Sequence, residues 1–138
     1  MRLFKSSEYA IRCLVYMANV GDELCSVQRL ASELGIPYKF LGRLMGRLRE
    51  AGFVDSVRGK NGGYCIAKPL TEIRLEQIVD SVEGLEAYDR CILGFERCDE
   101  DNPCPMHEFW TGPKQSIQHM MADVTLAELA KSKGKKLS

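Results

Sequence analysis

The sequence predicts a mainly α-helical fold with a small β-hairpin wing, a winged helix-turn-helix followed by a further helical region. Three observations predict it. Three amphipathic stretches before residue 52 are punctuated by glycine and proline, two short apolar runs flank the turn-rich RGKNGG, and helical periodicity resumes after a cysteine-rich loop.

Tyr9, Ala10, Cys13, Leu14, Met17 and Ala18 recur at helical spacing and predict a first helix from about Ser7 to Asn19, ended by Gly21 and Asp22. Ser26 is placed to cap a second, shorter helix carrying Val27, Leu30, Ala31 and Leu34, which Gly35 closes. Pro37 opens a third helix. Its apolar face is Phe40, Leu41, Leu44, Met45 and Leu48, and Gly52 supplies the stop. Two helices joined by a tight turn, following a packing helix, form a helix-turn-helix.

FVDSV and YCIA read as strands on either side of RGKNGG, giving a hairpin with a basic tip. Leu75, Ile78, Val79 and Val82 then predict a helix closing near Gly84. Beyond the cysteines, Phe109, Trp110, Ile117, Met120, Met121 and Val124 predict another, in which Gly112 and Pro113 should force a kink or restart. Thr125 with Glu128 resembles a capping box for a last short helix, after which KSKGKKLS should fray. The expected organisation is a winged helix-turn-helix over residues 1–84, a cysteine-rich loop over 85–108, and a helix with a flexible tail over 109–138.

Composition bounds the function. A chain of 138 residues with 45% apolar and 28% charged residues suits one globular core with an appended arm. No run approaches the roughly 18 apolar residues of a membrane span. The N-terminus lacks the features of a signal peptide, so a cytoplasmic location is expected, where six cysteines serve as metal ligands or redox sensors sooner than as structural disulfides. The net charge is zero but unevenly spread. Residues 29–68 hold eight Lys or Arg against three Asp or Glu, whereas residues 69–110 hold three against eleven. The basic stretch suits phosphate contacts, and the acidic stretch should face away from a polyanion.

The third helix opposes its apolar face with Tyr38, Lys39, Gly42, Arg43, Gly46 and Arg49, and carries Arg47 on its flank. Each glycine costs about 1 kcal/mol relative to alanine in a helix interior. Two on an exposed face suggest that something approaches the backbone closely, and a DNA groove wall is such an object. Arg43 is suited to guanine, Tyr38 and Lys39 to base edges from the N-terminal turn, and Arg47 to phosphate. An ordinary solvated helix face is the plain alternative. At the wing tip, Arg58, Lys60 and Asn61 lie between glycines that permit contact with the sugar-phosphate backbone or the minor groove. Helix and wing together favour double-stranded DNA, and one reading helix per chain calls for a dimer on a near-palindromic site.

Between Cys91 and His107, CILGFERCDEDNPCPMH supplies thiols at Cys91, Cys98 and Cys104 and an imidazole at His107. Intervals of seven and six residues lack the close Cys-x-x-Cys pairing common in zinc sites, which favours an iron–sulfur cluster over zinc, with a thiol switch as a third use. Cys13 reads as a small hydrophobe, Cys65 as a wing-strand residue and Cys25 as an incidentally reactive thiol near a loop. A small electron carrier is a more remote possibility, because it would leave the helix-turn-helix and basic wing idle. No phosphate loop, nucleophile pair or paired carboxylates point to an enzyme.

The run IPYKFLGRLMGRLREAGFVDSVRGKNGGYCIAKPLTEIRLEQIVDSVEG, with the cysteines, Trp110 and VTLAEL, resembles the Rrf-two type winged-helix transcriptional regulators, the IscR and NsrR-like iron-sulfur family. The likeness covers nearly the whole chain. It implies a homodimeric transcription factor, in which the helix after the cysteine loop is the dimerisation helix and Cys91, Cys98 and Cys104 hold a cluster. CPMH resembles the IscR branch and implies His107 as fourth ligand and a 2Fe-2S cluster in preference to 4Fe-4S. Other branches use an acidic residue of the first helix, supplied by the partner subunit, and Glu8 stands at that position, where its plain role is solvation or an ion pair with Arg12. The interval between Cys91 and Cys98 is one residue longer than in the best-known members. The resemblance thus implies a repressor or dual regulator whose cluster senses redox state, nitric oxide or iron-sulfur status.

Overall fold

The computed structural model describes residues 2–132 and 136–137. Its elements are α1 (Lys5–Val20), α2 (Val27–Leu34), α3 (Tyr38–Glu50), β1 (Val54–Val57), β2 (Gly63–Ile66), α4 (Leu75–Val82), α5 (His107–Asp123) and α6 (Leu126–Ala130). Short 3-10 turns occupy Leu70–Glu72 and Glu86–Tyr88. The mainly helical architecture with a two-stranded wing is the expected one. Fraying of the Lys-rich end falls largely on residues 133–135 and 138, which lie outside the described residues.

Local chemistry explains most boundaries. Ser26 Oγ accepts from the Arg29 amide at 3.0 Å, satisfying an orphan donor of α2, and Gly35 ends the helix in the left-handed conformation at φ 66°. The Thr125 hydroxyl accepts from the Glu128 amide at 3.3 Å and starts α6. β1 and β2 pair antiparallel from Val54↔Ile66 to Val57↔Gly63, leaving Arg58 to Gly62 as the loop. Two glycines make this hairpin fit. A Cβ on Gly62 would stand 2.1 Å from the Val57 carbonyl oxygen, and one on Gly63 would stand 2.8 Å from the Cys25 carbonyl. The close approach at Gly63 lets Tyr64 and Cys25 exchange backbone hydrogen bonds of 2.8 and 2.9 Å, pinning the wing to the loop before α2.

The core is built around α1. Ala10, Cys13, Leu14 and Met17 are buried there with Leu30, Leu41, Leu44, Met45, Leu48, Val54, Ile73 and Ile78. Leu126 of α6 joins them, fully buried, and α6 packs directly on α1. The segment after α5 therefore returns to the winged-helix core and does not stand apart from it. Three contacts secure the return. Leu126 donates its amide to Ile73 O at 2.7 Å, Leu75 donates to Val124 O at 2.9 Å, and Arg74 Nη1 donates to Ala122 O at 2.9 Å.

Two expectations change. α1 begins at Lys5, because the Phe4 carbonyl already accepts from the Glu8 amide at 3.0 Å. The restart expected at Gly112 and Pro113 does not occur, since α5 is one helix containing Pro113. Proline removes a single amide donor, and the intrahelical bonds on either side carry the helix through.

Leu126→Ala should cost about 2–5 kcal/mol of stability through the cavity it leaves. A urea unfolding curve read by circular dichroism checks this, and a midpoint equal to the parent's would show that α6 is not part of the core.

Candidate functional site

All seven residues expected to read DNA are exposed: Tyr38, Lys39, Arg43, Arg47, Arg58, Lys60 and Asn61. Tyr38 and Arg58 line one groove of about 460 Å³ between the start of α2, α3 and the wing. Sequence reasoning missed Ser26, Gln28 and Ser56 on its walls. Ser26 caps α2 and Gln28 lies in its first turn, and the hydrophobic pattern of that helix marks burial and says nothing of its outer end. Arg49 Nη1 donates to Ser56 Oγ at 3.3 Å, so the end of α3 is tied to the wing. Arg43 and Arg47 line a second hollow with Ser6 and Phe40, against the start of α1. Arg47 Nη1 also donates to the Val82 carbonyl at 3.3 Å, a tie within the protein that its expected phosphate role did not include. Lys60 and Asn61 sit at the hairpin tip. Above Gly42 and Gly46 a Cβ would meet nothing within 4 Å, so α3 presents bare backbone to the exterior there.

The second centre is the cysteine loop between Asp89 and Met106, which has no helix or strand. Cys91, Cys98, Cys104 and His107 all line one cavity of about 380 Å³ with Phe95, Arg97 and Pro105. Two turns gather them. The Gly94 amide donates to Cys91 O at 3.0 Å, and the His107 amide donates to Cys104 O at 3.0 Å, setting the imidazole at the first residue of α5 beside the third thiol. Cys91 Sγ and Cys104 Sγ are hydrogen-bonded at 3.1 Å. That contact holds the Cys91 thiol below its ordinary pKa, helped by the Leu93 and Phe95 amides and the nearby Lys114, while burial opposes it. Cys104 is pushed up, first by the same bond to Cys91 and then by burial. Among the described residues, no three His, Cys, Asp or Glu side chains stand close enough together to ligate an ion as placed. The donor set nevertheless fits an iron–sulfur cluster or zinc. Three thiols and an imidazole share one cavity, and amide donors already aim at the sulfur of Cys91.

Lys114 was not singled out from the sequence, where it is one lysine among many. It lies on α5 with a side chain only 13% exposed, 3.2 Å from Asp89 Oδ1. Burial disfavours its charge, but the bond to Asp89 and the neighbouring Cys98 sulfur outweigh this and raise its pKa. Glu8 does not line the cysteine cavity of its own chain. Lys5 Nζ lies 3.2 Å and Arg2 Nε 3.4 Å from its carboxylate, and the hydrogen bond from Lys5 comes first in holding its pKa below the usual range. Its expected partner Arg12 instead lies over the Tyr9 ring.

The other cysteines differ in kind. Cys13 is fully buried and burial pushes its thiol up to about 12. Cys25 is also fully buried and raised, first by burial, which removes the incidental reactivity expected of it. All six cysteines are free thiols.

A helix-turn-helix with a basic wing and a thiol-lined centre is the form of a DNA-binding regulator. The family described as Rrf2, iron-dependent transcriptional regulator, matches residues 3–132. The HTH-type transcriptional regulator IscR of Yersinia pseudotuberculosis is 32% identical over 130 residues, covering 94% of this chain and 79% of that protein. Among solved structures, CymR of B. subtilis, the global cysteine regulator, superposes with a TM-score of 0.80 at 23% identity, covering 95% of this chain and 97% of that one. IscR of T. potens gives 0.73 at 25% identity, covering 95% and 87%. The chain belongs to the Rrf2 family of transcriptional regulators, which are DNA-binding proteins and not enzymes. Among the described residues, no helix is long and apolar enough to cross a membrane.

In reduced, metal-free protein, brief iodoacetamide treatment should label Cys98, which is partly exposed, and spare Cys13 and Cys25, which are fully buried and whose thiols burial pushes up. Peptide mass spectrometry reads the order, and early labelling of Cys13 or Cys25 would contradict it.

Proposed function

We propose that this regulator is a homodimer whose loop residues Cys91, Cys98, Cys104 and His107 hold an iron–sulfur cluster, 2Fe-2S in preference to 4Fe-4S, and that the state of the cluster sets how two reading heads engage a near-palindromic operator. The observation that carries it is the convergence of three thiols and one imidazole on a single cavity. When bound, such a cluster supplies a centre that responds to oxidants, nitric oxide or iron supply. The chain's own residues do the rest. Leu93 and Phe95 direct amides at Cys91, and Lys114 sets positive charge beside Cys98. Glu8, presented to the partner subunit, is the alternative fourth ligand.

In this reading residues 1–84 read DNA, 85–108 sense, and α5 is the dimerisation helix of the segment 109–138. Support for the dimer comes from α5, where Phe109 is 71% and Met120 46% exposed on one face, three turns apart. Two reading helices about 34 Å apart suit successive major grooves. Tyr38 and Lys39 meet base edges, Arg43 takes guanine, and Arg47, Arg58, Lys60 and Asn61 hold the backbone or minor groove. Work on DNA places the protein in the cytoplasm, where thiols stay reduced and free to ligate.

A second reading has its own observation. Cys91 Sγ lies 3.1 Å from Cys104 Sγ, so a disulfide between them, formed by an oxidant that takes two electrons and two protons from the thiols, would make the loop a thiol switch without a metal.

Visible absorption of anaerobically purified protein, with iron, zinc and acid-labile sulfide analysis, separates the readings. The cluster reading expects colour with iron and sulfide, both lost in Cys98→Ala. Colourless protein that takes up zinc alone, or no metal, overturns it. For the reading head, Arg58→Ala should weaken binding to duplexes selected from a random pool by the parent protein. It should also lower the slope of log affinity against log salt by about 1, the effect of losing one phosphate contact. An unchanged slope would remove Arg58 from the backbone contacts.

A further inference from the structure

Glu83 follows α4 and collects three hydrogen bonds, two from the distant start of α1 and one from Tyr88 at the root of the cysteine loop. Its Oε2 accepts from the Phe4 amide at 3.0 Å and from the Ser7 hydroxyl, both at the start of α1. Its Oε1 accepts from the Tyr88 hydroxyl, three residues before Cys91. Gly84, at φ 82°, turns the chain so that Tyr88 folds back onto the carboxylate. Ser7 is fully buried and Tyr88 nearly so, with its ring in a small cluster with Val79 and Met121 of α5. Among the described ion pairs, none involves Glu83. Neutral donors alone hold the carboxylate, and bonds to a charged acceptor are about twice as strong as neutral ones.

The neighbouring residue extends the connection to the reading head. The Val82 carbonyl accepts from Arg47 of α3 at 3.3 Å. Ser6, next to Ser7, faces Phe40, Arg43 and Arg47 across the hollow between α1 and α3. Residues 82 and 83 thus touch α1, α3 and the root of the cysteine loop. Tyr88 lies three residues before Cys91, so the cysteine loop, Glu83, the start of α1 and the Arg47 side of α3 are joined by consecutive hydrogen bonds.

We propose that Glu83 is a positioning residue that couples the cysteine loop to the reading helix, a role that rests on the cysteine loop being the sensing element. The coupling runs from Tyr88 through the carboxylate to Phe4 and Ser7, and through the adjoining Val82 carbonyl to Arg47. One carboxylate oxygen faces the loop and the other faces α1, so the two sides can be cut separately.

Tyr88→Phe removes the loop side while keeping the ring in its cluster, and Ser7→Ala removes one donor on the α1 side. The full-length protein is compared in two states, metal-free and reduced, or reconstituted anaerobically with iron and sulfide, using duplexes selected from a random pool by the parent. Parent affinity should differ between states by about tenfold, within the range usual for coupled sites. In either variant the difference should fall below about threefold, with iron and sulfide content unchanged. A variant that loads fully and keeps the parent's ratio overturns the proposal. Failure of the parent to take up iron and sulfide overturns the cluster reading instead, and a second measurement then decides this one. In metal-free protein, hydrogen exchange over residues 4–9 and 38–50 should be faster in Tyr88→Phe than in the parent, with strands 54–66 unchanged. Equal exchange in both segments overturns the coupling whatever the loop binds.

Discussion

Burial of one helix face organises this protein. α1 packs against α2, α3, α4, α6 and β2, and its inward residues Ala10, Cys13, Leu14 and Met17 are at most 1% exposed. Fully burying a side chain such as Leu14 contributes about 1.5–3 kcal/mol, so the shared face outweighs any surface ion pair. Because α3 leans on the same helix, the angle at which it presents Arg43 and the bare backbone at Gly42 and Gly46 is set by the seating of α1. The start of α1 is therefore a sensitive point.

The cysteine loop is built on an opposite principle. Ile92, Leu93 and Phe95 are exposed, and Cys91 and Tyr88 are its buried anchors. Hydrogen bonds at Gly94, His107 and the Cys91–Cys104 pair hold it, with little apolar burial. A segment with so few core contacts opens at low free-energy cost, while the head beside it moves as a packed unit. That contrast suits a sensor joined to a reader. In the proposed reading, a change of ligation or redox state in the loop is carried inward through ties such as that of Tyr88 to Glu83.

Much of this was legible in sequence because its causes are local. Ser26 and Thr125 cap helices with their own hydroxyls, Gly35 adopts a conformation open to glycine, and RGKNGG turns because of its glycines. The cysteine centre was legible as a set of donors, since thiols and an imidazole within a short span can meet wherever the loop goes. Of the kink or restart expected at Gly112 and Pro113, the restart does not occur, because proline forbids one hydrogen bond and not a helix. The expected pair of Glu8 with Arg12 failed because Lys5 and Arg2 reach the carboxylate while Arg12 settles over Tyr9.

By itself the sequence determined the helices of the head, the wing, the residues that face outward from α3, and the thiol and imidazole side chains of the loop. Each depends on periodicity, capping or side-chain chemistry within a few residues. The tertiary structure alone decided that Leu126 closes the core beside α1, that the Cys91 and Cys104 sulfurs meet at 3.1 Å, and that Glu83 joins Phe4 and Ser7 to Tyr88. Leu126 and α1, and Glu83 and the start of α1, lie far apart along the chain, and no local pattern records a distant neighbour. Both follow from the packing of the other helices around the buried residues of α1.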